Sequence, residues 1–174
     1  MALCAAALAV AVGLPAAAGA KKAKPKTPSG LACLKGKWIA NGIASDPPSI
    51  SGLAGTVLTI TLEHGGRDGI ADANYDRSSP IRFAGDSSAD LQVRGSTFGR
   101  FYYEGHGRYR FTPGVSSEEV TIFSHGTKVL GPRDVKHGSG WSDLTCTATK
   151  LTTETTIPTK TGTAKVKATF RRSR

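Results

Sequence analysis

The sequence lacks the apolar periodicity of helices and is poor in aromatic and sulfur-containing residues. Its 174 residues include 3 Cys, 1 Met and 2 Trp, and aromatic side chains make up 7%. No window repeats apolar residues at the three- and four-residue spacing of an amphipathic helix, which excludes a helical bundle. Residues 1–20 are apolar but consist mostly of alanine, with Gly13, Pro15 and Gly19 among them. A membrane-spanning helix is disfavoured there because spanning needs about 20 strongly apolar residues.

The first 30 residues have the composition of an export signal followed by a linker. Residues 1–20 are small and apolar, and Ala18-Gly19-Ala20 before Lys21-Lys22 has the pattern of a signal-peptide cleavage site. Residues 21–30, KKAKPKTPSG, hold four lysines and two prolines without a large apolar side chain, so we expect a solvated basic linker. The sequence therefore predicts an exported protein, secreted or associated with the cell envelope, with a folded domain over residues 31–170.

Cysteine is scarce enough to leave a single possible pairing. Once a leader containing Cys4 is removed, only Cys33 and Cys146 remain. In an oxidising compartment an even pair favours a disulfide over free thiols. Closing so long a loop contributes about 4–5 kcal/mol in the chain-entropy account of disulfides. We expect a Cys33–Cys146 bridge, and two buried free thiols are the alternative.

Acidic residues are outnumbered, with 13 Asp+Glu against 23 Lys+Arg and a formal net charge of +10. The excess lies at the ends of the chain. Residues 31–149 carry 12 basic and 12 acidic residues, whereas residues 21–30 carry four lysines and residues 150–174 carry seven basic residues against Glu154 alone. A neutral body does not favour specific nucleic-acid binding. The basic ends predict salt-sensitive attraction to anionic polymers or head groups of the cell envelope, or serve solubility alone.

Alternation of apolar and polar residues, which is typical of half-buried strands, recurs along the domain. Leu58, Ile60 and Leu62 alternate with polar residues, and residues 99–103 and 107–111 flank a short turn. Glycine-rich turns separate such runs at the about 8–12-residue spacing of all-β barrels and sandwiches. We predict one all-β domain, an antiparallel up-and-down barrel of about 8–10 short strands. Residues 126–140 are predicted to be irregular, and 141–151 to form one strand.

A short motif and the layout of the strands resemble a known family. Leu34-x-Gly36-x-Trp38, the succession of hairpins and the Cys146 strand resemble lipocalin-like barrels of the calycin type. The chain is also similar to small secreted proteins of actinobacterial type. The resemblance implies that Trp38 packs across the closed end of the barrel, covered by a late arginine, for which Arg171 and Arg172 are the candidates. It also implies a lumen, which would be lined by Leu58, Ile60, Leu62, Tyr109 and Phe111.

The first and last strands of a closed antiparallel barrel are neighbours, so the two basic ends are expected to meet on its outer face. Residues 171–174 are predicted to follow the barrel as a short basic tail. The residues of the expected basic patch are Lys35, Lys37, Lys165, Lys167, Arg171 and Arg172.

No local motif indicates catalysis or a metal. Four histidines stand apart in sequence without the close spacing of zinc ligands, and Asp72, Asn74 and Asp76 lack the remaining ligands of a calcium loop. Ser139 lacks the glycine two residues earlier that a nucleophile elbow needs. We expect no cofactor, no metal and no catalytic residue. An aromatic platform for bases or sugars is a weaker hypothesis, carried by Phe98, Phe101, Tyr102 and Tyr103 beside Arg100 and Arg108.

The sequence thus favours a monomeric binding or structural module of the cell envelope or exterior. Two alternatives remain open: a carrier of a small apolar ligand in the barrel lumen, and a secreted hydrolase without a recognisable motif.

Overall fold

The computed structural model describes residues 31–63, 67–105, 107–134, 140–159 and 162–174. The proposed signal peptide and basic linker lie outside the described residues. A 3-10 turn, Leu31–Cys33, precedes thirteen strands within the described ranges. The strands are β1 Gly36–Asp46, β2 Ile50–Gly52, β3 Val57–Glu63, β4 Asp68–Asn74, β5 Ile81–Phe83, β6 Asp86–Arg94, β7 Ser96–Gly105, β8 Arg108–Ser116, β9 Glu119–Ser124, β10 Thr127–Asp134, β11 Gly140–Cys146, β12 Lys150–Thr159 and β13 Gly162–Arg172.

Eight of the strands form a closed antiparallel barrel. In the order β1, β3, β4, β7, β8, β11, β12, β13, each strand pairs with the next, and β13 pairs with β1 to close the ring. Closure leaves these strands without a free edge, which removes the usual site of sheet-to-sheet aggregation. The predicted all-β, up-and-down barrel is therefore confirmed.

The barrel core comes from strict alternation along its strands. In β13, Ala164, Val166, Ala168 and Phe170 are buried while the residues between them face outward. Side chains on successive strand positions point to opposite faces, so every second residue reaches the interior. Leu58, Ile60 and Leu62 follow the same rule in β3, where Ile60 is buried and the other two are half-buried.

The remaining five strands, β2, β5, β6, β9 and β10, form an extension that we call the side sheet. The β5–β6 hairpin is inserted between barrel strands β4 and β7, and the β9–β10 hairpin between β8 and β11. Pairing of β6 with β9 joins the two hairpins, and β2 connects them to β1. Ile81, Leu91 and Val93 are fully buried in the same core as the barrel residues. The side sheet is therefore packed as part of the domain.

β1 belongs to both sheets because it bends in the middle. Its first half, Gly36–Ile39, pairs with β3, and Ile43 and Ala44 pair with β2. Opposite β13 the register shifts between Ala40 and Gly42, which leaves Asn41 as an extra residue. Such a bulge bends and twists a strand, and here it directs the second half of β1 into the side sheet.

Three details of the predicted layout were wrong. Residues 127–134 form strand β10 although nearly all of its side chains are exposed, so alternation could not signal it. Residues 141–151 contain a turn, and Leu151 begins the inward face of a separate strand, β12. Strand β13 extends to Arg172, so two residues assigned to the basic tail belong to the barrel.

Within the described residues, no helix has the length and apolar character required to cross a membrane.

Candidate functional site: closed end and lumen

Trp38 and Arg172 pack together at the end of the barrel where β1 begins and β13 ends. The Trp38 side chain is fully buried, and its Nε1 donates a hydrogen bond to the Leu34 carbonyl at 2.8 Å. The Arg172 guanidinium lies 4.3 Å from the centroid of the Trp38 ring, a geometry that favours a cation–π interaction. Of the two candidate arginines, the structure places Arg172 over the tryptophan. Arg171, its neighbour, is exposed on the outer face.

The guanidinium of Arg172 also joins three separate backbone segments. It donates to the carbonyls of Cys33 at 2.6 Å, Lys35 at 2.9 Å and Ala148 at 2.7 Å. These bonds tie the 3-10 turn, the start of β1 and the β11–β12 turn to the end of β13. The planar guanidinium holds its donors in fixed directions while it stacks on the indole, a combination that the compact ammonium of lysine does not reproduce.

The structure shows why the Leu34-x-Gly36-x-Trp38 motif has a glycine at its third position. Its φ of +132° is a conformation that residues with a side chain rarely adopt. A Cβ at this position would lie 2.7 Å from Nη1 of Arg172. The motif therefore combines a buried indole with the space that its covering arginine needs.

A Cys33–Cys146 disulfide stands beside this arrangement, with the two Cα atoms 6.0 Å apart. It connects the 3-10 turn to the last residue of β11 across 113 positions. The bridge predicted from the cysteine count is present. Two strands, β12 and β13, follow the covalent loop.

The barrel interior contains a cavity of about 110 Å³ that is lined by side chains of low polarity. By comparison, an apolar engineered cavity of about 150 Å³ holds benzene. Of the five residues predicted for the lumen, Leu58, Ile60, Tyr109 and Phe111 line the cavity. Leu62 packs against the hydrophobic core but does not line the cavity. No lysine, arginine, histidine, aspartate or glutamate belongs to the lining formed by the described residues.

Aromatic rings define one wall of the cavity. Tyr109 contacts Phe101 edge-on, with ring centroids 5.9 Å apart, and contacts Tyr103 at 5.1 Å. Burial raises the pKa of the Tyr109 hydroxyl, with a smaller contribution from Tyr103. Phe101 and Tyr109 both face the cavity, which gives the lumen a large apolar surface at this wall.

A polar cluster, Tyr75, Thr97 and Glu118, lies where the chain passes between the barrel and the side sheet. Tyr75 follows β4, Thr97 is the second residue of β7, and Glu118 is in the link between β8 and β9. Their exposed fractions are 3%, 1% and 1%. The Thr97 hydroxyl donates to Oε1 of Glu118, and the Tyr75 hydroxyl is hydrogen-bonded to the same carboxylate. Tyr75 and Thr97 line the cavity, whereas Glu118 contacts both of them and does not belong to the lining.

Two carboxylates, those of Glu118 and Asp72, act on the Tyr75 hydroxyl. Burial raises the pKa of Tyr75 well above its ordinary value, and the nearby charge of Glu118 and the hydrogen bond to it raise it further. Asp72 contributes in the same direction, while the Thr97 hydrogen bond opposes it. Arg94 directs its guanidinium to three backbone carbonyls nearby, those of Tyr75, Ser78 and Val93, at 3.5 Å each.

Backbone contacts hold the cluster in place. Tyr75 N–H donates to the Gly95 carbonyl at 2.9 Å, and Gly95 N–H donates to Oδ1 of Asp76 at 2.8 Å. That bond, together with one from Asn74, lowers the pKa of Asp76. A Cβ on Gly95 would lie 2.2 Å from the Ser117 carbonyl. Glycine at this position allows the link containing Glu118 to pack against the start of β7.

The register of β1 and β13 separates the expected basic patch into two groups. The strands are neighbours as predicted, but Lys165 and Lys167 lie opposite Asp46 and Ala44. At the other end of the strand pair, the Lys37 carbonyl accepts a hydrogen bond from Ser173 N–H. At about 3.3 Å per residue, Lys37 is therefore about 20 Å from Lys167 along the strands. The residues of the expected patch, Lys35, Lys37, Lys165, Lys167, Arg171 and Arg172, therefore lie in two groups along the strand pair, and their joint action as one basic surface stays a prediction.

Individual basic residues of the two groups also have partners. Lys165 is 3.0 Å from Glu154, and this hydrogen bond raises the pKa of Lys165. Arg172 is committed to the closed end of the barrel. Binding to anionic polymers or head groups stays a prediction.

The residues of the proposed aromatic platform divide between the two faces of the sheet. Phe101 faces the cavity, whereas Tyr102 lies in a row with Arg110 and Trp141 across β7, β8 and β11. The Arg110 guanidinium is 5.7 Å from the centroid of each ring and 3.4 Å from Glu104. Arg110 is paired within this row, so the row explains Tyr102 as outer-face packing.

Among the residues that the structure describes, no three or more His, Cys, Asp or Glu side chains are grouped so as to hold a metal ion. His125 lies in the β9–β10 turn with a φ of +49°. His64, His106 and His137 lie outside the described residues, and so does Ser139. The predictions about metal, cofactor and catalysis therefore stay predictions.

Comparison with protein-family models, with curated proteins and with solved structures finds no match to this chain. The class of protein follows from the fold alone. It is a disulfide-bridged all-β protein whose closed eight-stranded antiparallel barrel is compatible with the calycin type. The likeness to secreted actinobacterial proteins stays a prediction.

Sequence reasoning missed the Tyr75, Thr97 and Glu118 cluster entirely. Glu118 stands in a polar link, Ser116-Ser117-Glu118-Glu119, where composition predicts exposure. The link that contains Glu118 lies between two strand pairings, β8 with β7 and β9 with β6, which join residues distant in sequence. The one local signal is Gly95, placed between two strand runs where a close backbone approach is typical.

Proposed function

We propose that this chain is an exported, non-enzymatic binding module that carries a small apolar molecule in the lumen of its barrel. The apolar cavity in the barrel interior supports this function best, because it is lined by side chains such as Ile60, Phe101 and Phe111. Ligand sites are typically concave and mostly apolar, with a few polar groups that fix orientation. The lining has no charged side chain among the described residues and includes a few polar residues, such as Tyr75 and Thr97, which fits that description.

The rigid closed end supports the same function. Arg172, Trp38 and the disulfide fasten the terminal strands to the 3-10 turn at one end of the barrel. A lumen closed covalently and by charge-assisted hydrogen bonds keeps its shape without a ligand, which lowers the entropic cost of binding. The disulfide is also in keeping with the oxidising compartments in which exported proteins fold.

Native mass spectrometry of the protein purified from its producing culture tests the proposal. We expect a copurifying adduct of small-molecule mass that is released on denaturation. The control is the Ala71→Leu variant, which fills the cavity from β4. Recovery of adduct-free wild type that also fails to take up any apolar compound would contradict the carrier function.

A further inference from the structure

We propose that the ligand of the lumen is an uncharged molecule with a carbonyl group, such as a ketone or an ester, and that Ser142 donates its hydroxyl proton to the carbonyl oxygen. This inference rests on the proposed carrier function and specifies the chemistry of its ligand. It depends on the hydrogen bond between Ser142 and Thr155, on the different burial of the two residues, and on the absence of charged side chains from the described lining.

Ser142 and Thr155 form a hydroxyl pair in the wall of the lumen that β11 and β12 build. The two hydroxyl oxygens are 2.7 Å apart, and either could be the donor. Ser142 lines the cavity, whereas Thr155 does not belong to the lining and is only 1% exposed. On the neighbouring strand β8, Tyr109 lies opposite Ser142 and also lines the cavity. The pair therefore extends from the cavity surface into the buried wall.

The number of protons in the pair determines the direction of its hydrogen bond. Two hydroxyls carry two protons, and only one proton is shared between them. Neither hydroxyl makes a further hydrogen bond to the protein in the described ranges, so one proton has no acceptor there. On Thr155 this proton would be buried without a partner, which is costly. The favoured arrangement therefore has Thr155 donating to Ser142, and Ser142 donating into the lumen.

The lumen thus contains a hydrogen-bond donor with a defined direction. A hydroxyl that accepts a hydrogen bond is polarised and becomes a better donor, so the bond from Thr155 strengthens the donor at Ser142. Thr56 also lines the cavity, but its hydroxyl donates to the Leu53 carbonyl. A carbonyl oxygen of the ligand would accept the Ser142 proton, for which the described chain supplies no acceptor.

The lining distinguishes charged from uncharged ligands. No lysine, arginine, histidine, aspartate or glutamate belongs to it among the described residues. Transfer of an ion from water into such surroundings is costly without a counter-charge, which disfavours an ammonium or a carboxylate in contact with this lining. A carbonyl group adds an acceptor without adding a charge. An apolar body with one carbonyl group therefore suits both the lumen and the donor at Ser142.

Cyclohexanone and methylenecyclohexane test the inference, because the two small rings have nearly the same shape and differ in the exchange of the carbonyl oxygen for a methylene group. Chemical-shift titrations of nitrogen-15-labelled protein give the dissociation constant of each compound. The ratio of the ketone affinity to the alkene affinity should fall by about fivefold in Ser142→Ala, which is the effect of losing one neutral hydrogen bond. Using this ratio removes the general difference in hydrophobicity between the compounds.

Thr155→Val provides a second variant with a matched control. It removes the donor to Ser142 while nearly keeping the side-chain shape, and it should lower the ratio by about twofold. Thr145→Val makes the same substitution on the exposed face of β11 and should leave the ratio unchanged. If Ser142→Ala does not fold, Thr155→Val carries the test. In the wild type at pH 7, the ions cyclohexylammonium and cyclohexanecarboxylate should both bind more weakly than cyclohexanone.

The outcomes separate the two proposals. The carbonyl inference is overturned while the carrier function stands if the wild type binds methylenecyclohexane or N-phenyl-1-naphthylamine but not cyclohexanone. The same conclusion follows if Ser142→Ala and Thr155→Val leave the ratio unchanged, or if either ion binds more tightly than cyclohexanone. If the wild type binds none of these compounds, the carrier function itself fails.

Discussion

At the scale of single residues, Arg172 carries out several structural roles with one side chain. It stacks on Trp38 and satisfies the carbonyls of Cys33, Lys35 and Ala148. Those carbonyls belong to the 3-10 turn, to the residue before β1 and to the β11–β12 turn, which the arginine joins to the end of β13. The arginine therefore stabilises this end of the barrel from a partly exposed position.

Replacing Arg172 with lysine should lower the free energy of unfolding by about 2 kcal/mol or more, because lysine keeps the charge but loses the planar fork. Arg171→Lys is the matched control on the adjacent, outward-facing position, and its effect should stay within about 0.5 kcal/mol. Urea denaturation followed by tryptophan fluorescence measures both. Equal effects of the two substitutions would show that Arg172 has no special role.

We predict that the free energy of unfolding decreases at alkaline pH because of Tyr75 and Tyr109. Burial raises the pKa of both hydroxyls above the ordinary value of 10.0, so the folded protein holds these protons more tightly than the unfolded chain. Their contribution is complete below pH 10 and is lost as the pH rises above it. Urea denaturation between pH 8 and about 11 should show this decline, and Tyr75→Phe should make it shallower. Identical slopes would contradict the burial of Tyr75.

At the scale of elements, the disulfide joins the 3-10 turn to β11 and encloses most of the barrel strands. The chain-entropy account assigns about 5 kcal/mol to a loop of 113 residues, and removal of such bridges typically costs about 2–5 kcal/mol. The double variant Cys33→Ala/Cys146→Ala should lose that much stability. Reduced wild type is the control, since it should unfold at the same urea concentration as the variant. An unchanged midpoint after reduction would contradict a structural role for the bridge.

Elements with one buried face could be predicted from the sequence, and elements without one could not. β3 and β13 alternate clearly because one side of each faces the barrel core. β10 has no such face: Val129 and Leu130 are exposed, and the strand is identified only by its pairing with β9. The side sheet as a whole depends on the pairing of β6 with β9, and sequence patterns do not specify which strands pair.

The residues of the candidate site also fall into those that the sequence could predict and those that it could not. Trp38 and most of the lumen residues could be predicted from the motif and from alternation, because both depend on local spacing. Glu118 could not, since a carboxylate in a polar link gives no sign of burial and its partners, Thr97 and Tyr75, lie far away in sequence.

At the scale of the whole molecule, the structure combines a rigid closed end with an apolar interior. Arg172, Trp38 and the disulfide fix one end of the barrel, and the side sheet is packed into the same core as the barrel strands. The basic residues of β1 and β13 are distributed between the two ends of the strand pair. The proposed ligand site is therefore the lumen, and binding of this surface to anionic polymers stays a prediction.

The lumen claim is tested most directly by titrating N-phenyl-1-naphthylamine into the wild type, Ala71→Leu and Ala44→Leu. Ala71 lines the cavity, whereas Ala44 is exposed on β1, so the same enlargement fills the cavity in one variant only. We predict saturable binding with one site in the wild type and Ala44→Leu, and at least tenfold weaker binding in Ala71→Leu. Absence of saturable binding in the wild type, or equal binding by the three proteins, would contradict a ligand site inside the barrel.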